Sequence, residues 1–313
     1  MALTKSHIPD LLVPGLRTEF DLAYRSEVEN SVAETLATVV NTSLPSQTYA
    51  WLGATPPMRE FIDERRPQGL SAYSVSIEDK VFESTLAVDR RALEDDQLDL
   101  IRLRVRDLAA RVSQHRHQMV VEALTAGVTA TAYDGASFFD TAHPNPTGSA
   151  ISNLAEDALS AESLSTAISA MMSFPDDSGT PIGITPDTLV VGPSLMWDAI
   201  ELVESPVVVY KATAATGTSP TDYRNAFLGR LRLIVSPYIR GDAEENWFLL
   251  DTKRAIKGII LQQRQDVPVE FTALESTSGS ESAWMRDRYH YGVRARYNVG
   301  YGLWQGAYAG TPS

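Results

Sequence analysis

The stretch YHYGVRARYNVGYGL near the C-terminus limits what this chain can fold into more than any other. Its odd positions, Tyr289, Tyr291, Val293, Ala295, Tyr297, Val299, Tyr301 and Leu303, are apolar or aromatic. The even positions between them are His290, Gly292, Arg294, Arg296, Asn298, Gly300 and Gly302. Such alternation makes a β-strand with one buried face. At about 3.3 Å per residue, about 15 residues reach about 50 Å, far beyond the usual strand. An element of matching length lies upstream. Residues 94–96 read Glu-Asp-Asp, which suits the positive end of a helix dipole. Ile101, Val105, Leu108, Val112, Met119 and Ala123 then recur at helical steps, and Gly127 stands where a helix commonly stops. The spacing predicts a spine helix over about 92–126, again about 50 Å long at about 1.5 Å per residue. Its single modest apolar stripe predicts a surface position. The helix and strand are expected to run side by side in an elongated subunit, which compact enzymes seldom need.

Other elements carry weaker signals. Residues 1–19 are proline-punctuated and read as an extended arm. Phe20, Tyr24, Val28, Val32, Leu36 and Val39 predict one amphipathic helix over 20–40. Between Trp51 and Leu93 the period shortens to two: Phe82, Leu86 and Val88 alternate with Glu83, Thr85 and Asp89, and Val75 and Ile77 share a face before them. Ahead of these strands lies a dense mixed-charge run, Arg59, Glu60, Asp63, Glu64, Arg65 and Arg66. Residues 132–153 form a turn-rich loop. A helix over 159–174 places Leu164, Ile168 and Met171 on one side, and 185–205 reads as strand, turn at Gly192-Pro193, and helix. A flexible polar loop over 211–225 and short strands in RLRLIVSPYI, NWFLLD and GIILQQRQ complete an α+β chain.

Composition excludes several functions. The formal charge of −13, from 27 basic and 40 acidic residues, argues against gripping nucleic acid or an anionic membrane. It leaves open enclosing nucleic acid without adhering to it. The absence of cysteine removes disulfides, thiolate zinc sites and cysteine nucleophiles. No stretch approaches the roughly 18 apolar residues of a membrane helix, and the N-terminus is not built like a signal peptide. A soluble, intracellular protein is expected.

Candidate chemistry is thin. His115 and His117 are two apart on a helix and so point in different directions, whereas a zincin pair is four apart. Asp134, Asp140 and His143 in YDGASFFDTAHP could be drawn as a metal or acid–base site, but the spacing fits no metal motif and Asp-Gly and His-Pro are ordinary turn chemistry. GPSLM and GASFF lack the second glycine of a nucleophile elbow, and there is no dinucleotide or Walker loop. Arg102, Arg104, Arg106, Arg111 and Arg116 scatter around the spine helix instead of lining one face, which favours salt bridges within or between subunits. The aromatic strand is read as core packing in preference to a stacking platform. No cofactor and no metal are expected.

The tract from 48 to 97, TYAWLGATPPMREFIDERRPQGLSAYSVSIEDKVFESTLAVDRRALEDDQ, followed by the spine helix and DGASFFDTAHP, resembles the Mu-like major head subunit family of tailed-phage capsid proteins, with the HK97-like fold. The likeness rests most on 48–145, and on element order beyond. It implies an N-terminal arm over 1–48, an E-loop region over 49–91, a peripheral domain over 92–185, an axial domain over 186–261, and C-terminal peripheral strands over 262–313. Its motif residues here are Trp51, Asp134, Gly135, Phe138, Phe139, Asp140, His143 and Pro144. Arg59, Glu60, Asp63, Glu64, Arg65, Arg66 and Lys80 would then lie in a loop that reaches onto a neighbouring subunit, where alternating charge sets register more than affinity. Some relatives crosslink through a lysine in that loop; Lys80 is its only lysine and is expected not to react.

The resemblance implies a non-enzymatic protein that self-assembles into hexamers and pentamers of an icosahedral shell around double-stranded DNA, put together in the bacterial cytoplasm. A separate scaffolding protein, a portal protein and a decoration protein are the implied partners, and no membrane is involved. An encapsulin-type compartment of the same fold is the first alternative. A hydrolase built on Asp134, Asp140 and His143 is the second.

Overall fold

The computed structural model describes residues 8–29, 31–49, 74–89, 91, 98–144, 148–176, 179–210, 221–266, 269–274 and 285–312. Its first five-stranded sheet is organised on β13 (Arg288–Tyr301). β4 (Lys80–Asp89) runs antiparallel along one side, from Lys80 opposite Tyr297 to Asp89 opposite Arg288. On the other side β12 (Val269–Leu274) pairs with the first half of β13 and β11 (Ile259–Arg264) with the second. β1 (Ala37–Thr42) joins β11 in parallel. The alternation read in the sequence holds: Tyr289, Tyr291, Val293, Ala295 and Tyr297 are all buried.

That buried face carries the long helix α3 (Leu98–Ala126). Two contacts fix their relative direction. His115 Nδ1 lies 2.7 Å from Tyr297 Oη, and Tyr301 Oη donates to Ala123 O at 2.8 Å. From 115 to 123 the helix rises about 12 Å at about 1.5 Å per residue, and from 297 to 301 the strand advances about 13 Å at about 3.3 Å per residue. The two elements therefore run parallel and in step, as their lengths suggested. The expected start of the helix, 92–97, lies outside the described residues.

Several expectations are corrected. α3 is a surface spine over its first half, with Leu100 and Leu103 exposed and α1 (Ile8–Glu29) along one flank, but its second half is not: Val120, Val121 and Leu124 are fully buried. Its lower stripe therefore runs through these residues, while Met119 and Ala123 are half-buried. Gly127 is outside the left-handed region; glycine is required because an added Cβ would stand 2.8 Å from the Phe139 ring. The N-terminal helix starts earlier and ends sooner than its periodicity suggested. α1 passes through Pro14, burying Leu16 and Phe20 beyond it, and is followed by α2 (Val32–Leu36). Residues 37–40, read as helix, enter β1, where pairing with β11 outweighs the local pattern.

The second sheet runs β5 (Leu154–Ala155), β14 (Ala307–Gly310), β10 (Trp247–Leu250), β6 (Thr188–Val191), β9 (Arg232–Val235). α4 (Ala161–Met172) opens on a capping box between Ser160 and Ser163, and α5 (Met196–Val203) follows the Gly192-Pro193 turn. Two hairpins complete the fold: β2 (Ser46–Tyr49) with β3 (Val75–Glu78), and β7 (Val207–Tyr210) with β8 (Thr221–Arg224). The polar loop expected over 211–225 is thus shorter, since 221–224 form a strand; 211–220 lie outside the described residues. One core extends across both sheets, and a smaller one forms around Tyr49, Ile77 and Ile260.

Candidate functional site

The loop after α3 brings two of the three proposed catalytic groups together. Asp134 Oδ1 accepts the Ala136 N–H across a turn that Gly135 makes at φ 87°. Asp134 Oδ2 lies 2.7 Å from His143 Nδ1. Asp140 does not touch the ring. Its carboxylate accepts the N–H groups of Ala142 and Ser137, closing its own turn. The missing member is Asn153, which is fully buried. Its Oδ1 accepts the Asp140 N–H at 2.9 Å, and its amide nitrogen donates to Phe138 O and reaches Trp304 O and Ala307 O. That pattern fixes the amide orientation, so His143 Nε2, 3.0 Å away, donates to Oδ1. One proton then occupies the contact between Nδ1 and Asp134.

The environment is a joint, not a cleft. His143 has no exposed surface and stacks on the Trp304 indole at 3.9 Å and 5°. Phe138 packs on Tyr301 and Phe139 on Phe248. Every polar group of the Asp134–His143–Asn153 set faces another member or the backbone. These residues tie the loop to the C-terminal segment, and the pair the hydrolase reading needs is buried, with the His143 and Asp134 side chains 0% and 7% exposed. Pro144 is exposed beyond the joint, and among the described residues no cluster of His, Cys, Asp or Glu could hold a metal.

His115 and His117 also serve packing. His115 leans on Phe82 and Tyr297; His117 Nε2 meets Ser236 Oγ at 3.1 Å and its ring meets Tyr238 edge-on. Burial pushes both below the ordinary histidine value, with Glu122 opposing this at His115. Burial likewise pushes Tyr291 and Tyr301 up to about 12.

Several spine arginines pair within the chain: Arg102 with Asp99, Arg106 with Glu19 and Arg116 with Glu34. Arg116, expected to form a salt bridge, is also a buried node, which the sequence did not disclose. Almost wholly buried, it donates to Tyr24 Oη, Glu34 Oε1 and Gln263 Oε1, joining α1, α2, α3 and β11. Lys257 is another: its ammonium donates to the carbonyls of Glu34, Thr35 and Ala37 at the end of α2. Burial lowers its pKa, against the pull of Asp187 and Glu34.

Of the expected contact residues, Arg59, Glu60, Asp63, Glu64, Arg65 and Arg66 lie outside the described residues, as does Trp51. Their stem is described. Asp79, between β3 and β4, donates its N–H to Pro45 O, and Arg296 Nη2 lies 2.7 Å from its carboxylate. Asn298 donates to Glu78 O. Lys80 is exposed at the start of β4. Among the described residues no helix is long and apolar enough to cross a membrane.

Comparison with known proteins accounts for this arrangement. The family model described as Mu-like prophage major head subunit gpT matches residues 10–158, 152–239 and 234–312. The Mu-like prophage FluMu major head subunit of Haemophilus influenzae is 28% identical over 276 residues, 88% of this chain and 64% of that protein. The major capsid protein of Escherichia phage Mu is 31% identical over 153 residues, 46% of this chain and 50% of that one. The chain thus spans less than two thirds of the length of either relative. Among solved structures, the procapsid of bacteriophage JBD30 has a chain 27% identical with a TM-score of 0.57, covering 97% of this chain and 76% of its own. The α+β fold is the HK97-like one of phage capsid proteins, and the chain belongs to the Mu-like prophage major head subunit gpT family.

Proposed function

We propose that this protein is the major capsid protein of a tailed bacteriophage or related prophage, assembling into hexamers and pentamers of a closed icosahedral shell around double-stranded DNA. The observation that carries the reading is the family match from residue 10 to 312, which runs through both sheets and the joint between them. The in-step pair of α3 and β13 and the burial of the Asp134 and His143 side chains support a structural role. A net charge of −13 suits a wall that encloses DNA without gripping it. Scaffolding, portal and decoration proteins are the partners this role brings, with assembly in the host cytoplasm.

In this reading 1–48 is the N-terminal arm, 49–91 the E-loop region, 92–185 and 262–313 the peripheral domain, and 186–261 the axial domain. The first sheet draws on the arm, the E-loop region and the C-terminal strands; the second holds β6, β9 and β10 together with β5 and β14. The charges from Arg59 to Arg66, with Lys80, meet a neighbouring subunit, while the Asp134–Pro144 motif serves the subunit's own loop. The test is assembly. Protein co-expressed with its scaffold should give closed shells by negative-stain electron microscopy. Changing Arg59, Arg65 and Arg66 to glutamate should leave folded subunits that no longer close. A discrete small oligomer from the unaltered protein under these conditions would overturn the proposal.

A further inference from the structure

Both ring nitrogens of the buried His143 point at oxygen atoms: Nε2 at Asn153 Oδ1, 3.0 Å away, and Nδ1 at Asp134 Oδ2, 2.7 Å away. The Asn153 amide has one possible orientation. Reversed, it would aim its oxygen at the carbonyls of Phe138, Trp304 and Ala307 and its NH2 at the Asp140 N–H. Oδ1 therefore faces the ring, and Nε2 carries a proton. At Nδ1, a bare ring nitrogen would set its lone pair against a carboxylate oxygen, with both side chains almost wholly withdrawn from solvent. A second proton must lie in that contact. It sits on the ring, as an imidazolium, or on Asp134, as an acid, and the count is the same either way.

No neighbouring charge takes the place of that proton. The Asp140 carboxylate accepts the N–H groups of Ser137 and Ala142, Tyr133 Oη is paired with Gln305, and the Trp304 indole on the face of the ring does not titrate. Among the described residues no lysine or arginine pairs with Asp134. Apart from one another, an ordinary histidine is neutral above about pH 6.5 and an ordinary aspartate is ionised above about pH 3.9. We propose that the joint is a proton-held clasp, which closes with one proton more than its groups carry when apart at neutral pH and which alkaline conditions open. The clasp bears on both of the segments it joins. The His143 N–H donates to Ile151 O and the Ala309 N–H to Asn153 O, so opening it loosens the loop after α3 from β5 and β14 of the second sheet. The closed state binds more protons than the open one. Its stability is therefore full just below pH 6.5 and falls about tenfold in equilibrium constant per pH unit above that value, until the closed joint itself gives up the proton. His115 and His117, depressed by burial, act only on the acid side of the same value.

Asp134→Asn separates the proton from the hydrogen bond. The new amide oxygen still accepts the Ala136 N–H, while its NH2 donates to a bare Nδ1, so the joint closes without the extra proton. Unfolding free subunits in urea at pH 8, in weakly buffered solution, should release one proton more from wild type than from Asp134→Asn. Between pH 7 and 8 the wild-type folding equilibrium should weaken about tenfold more than the variant's. Equal release and equal slope overturn the inference. If the variant does not fold, wild type alone decides. Nuclear magnetic resonance of nitrogen-15-labelled histidine at pH 8, with His143 assigned through its contact with the Trp304 ring, should find one protected proton on Nε2 and another in the Nδ1 contact. A contact without a proton overturns the inference whatever the variant does. Every measurement is made on free subunits, so the clasp stands or falls separately from the assembly reading.

Discussion

Loss of Arg116 should cost this fold heavily. Its side chain is 2% exposed and holds Tyr24, Gln263 and the Glu34 carboxylate at 3.0 to 3.2 Å. Arg116→Met keeps most of the volume and removes the charge. Gln263 and Tyr24 lose a charged donor, and Glu34 loses its counter-ion. Hydrogen bonds to charged groups are worth about 1.5–3 kcal/mol each, and breaking a buried pair by removing one partner costs about 3–5 kcal/mol. Glu34 is 32% exposed and can recover water, so its share must be discounted. Desolvation of the guanidinium, whose Nε has no partner, is relieved by the same substitution. The net expectation is about 3 kcal/mol, read as a lower urea midpoint at unchanged slope on unassembled subunits. Glu34→Gln should cost about 1 kcal/mol, because an acceptor remains. The double variant should lose less than the sum of the two, since the ion pair is counted twice in the singles. An Arg116→Met variant within about 0.5 kcal/mol of wild type would refute the reasoning and make Arg116 a passenger of the packing around it.

Asn153→Ala should be comparably damaging, since it strands the Asp140 N–H, His143 Nε2 and Phe138 O in a fully buried joint. At about 1–3 kcal/mol per orphaned group the loss is about 4 kcal/mol, and a thermal midpoint within about 2 °C of wild type would contradict it. Acidification should act through His115 and His117. Their folded values are depressed by burial, so the unfolded chain takes up protons first as pH drops below 6.5. Stability is therefore full above that value and declines as pH falls from it toward the folded values. Replacing both with asparagine should flatten the subunit's urea midpoint between about pH 6.5 and 5; an unchanged slope would show that other groups carry the dependence.

What the sequence disclosed and what it hid divide along the range of the interactions. β13 was legible because alternation is a property of the strand alone, and its burial needed no knowledge of the partner. The same holds for α4, whose Ser160 and Ser163 cap it locally, and for the strand, turn and helix around Gly192-Pro193. The start of α1 was hidden because Pro14 reads as punctuation in any local window; burial of Leu16 and Phe20 carries the helix through it. Residues 37–42 fit a helical stripe and a strand equally well, and only β11, more than two hundred residues away, decides between them. Gly127 was placed correctly for the wrong reason, since the crowding ring of Phe139 comes from the next turn of chain. In the Asp134 motif the acid and the histidine were visible as a pair. Asn153 and Trp304, which turn that pair into a joint, carry no signal that links them to it.

The polar nodes explain how the long helix and the long strand keep their register. A long helix laid on a long strand can slide along its axis by one turn with little change in apolar area, so packing alone specifies register poorly. Directional contacts remove that freedom. Tyr297 to His115 and Tyr301 to the Ala123 carbonyl fix α3 on β13 at two points, and a displacement of one helical turn, about 5.4 Å, would break both. Arg116 sits on the helix between those points and ties it to α1, α2 and β11. Further along, His143 and Asn153 bind the loop that leaves α3 to the segment that leaves β13. Helix and strand are thus held to one another near both of their C-terminal ends. In the proposed shell, a subunit repeated many times would multiply any error in its own length. Placing buried polar contacts where apolar burial is indifferent to register is the physical means by which this chain keeps that length constant.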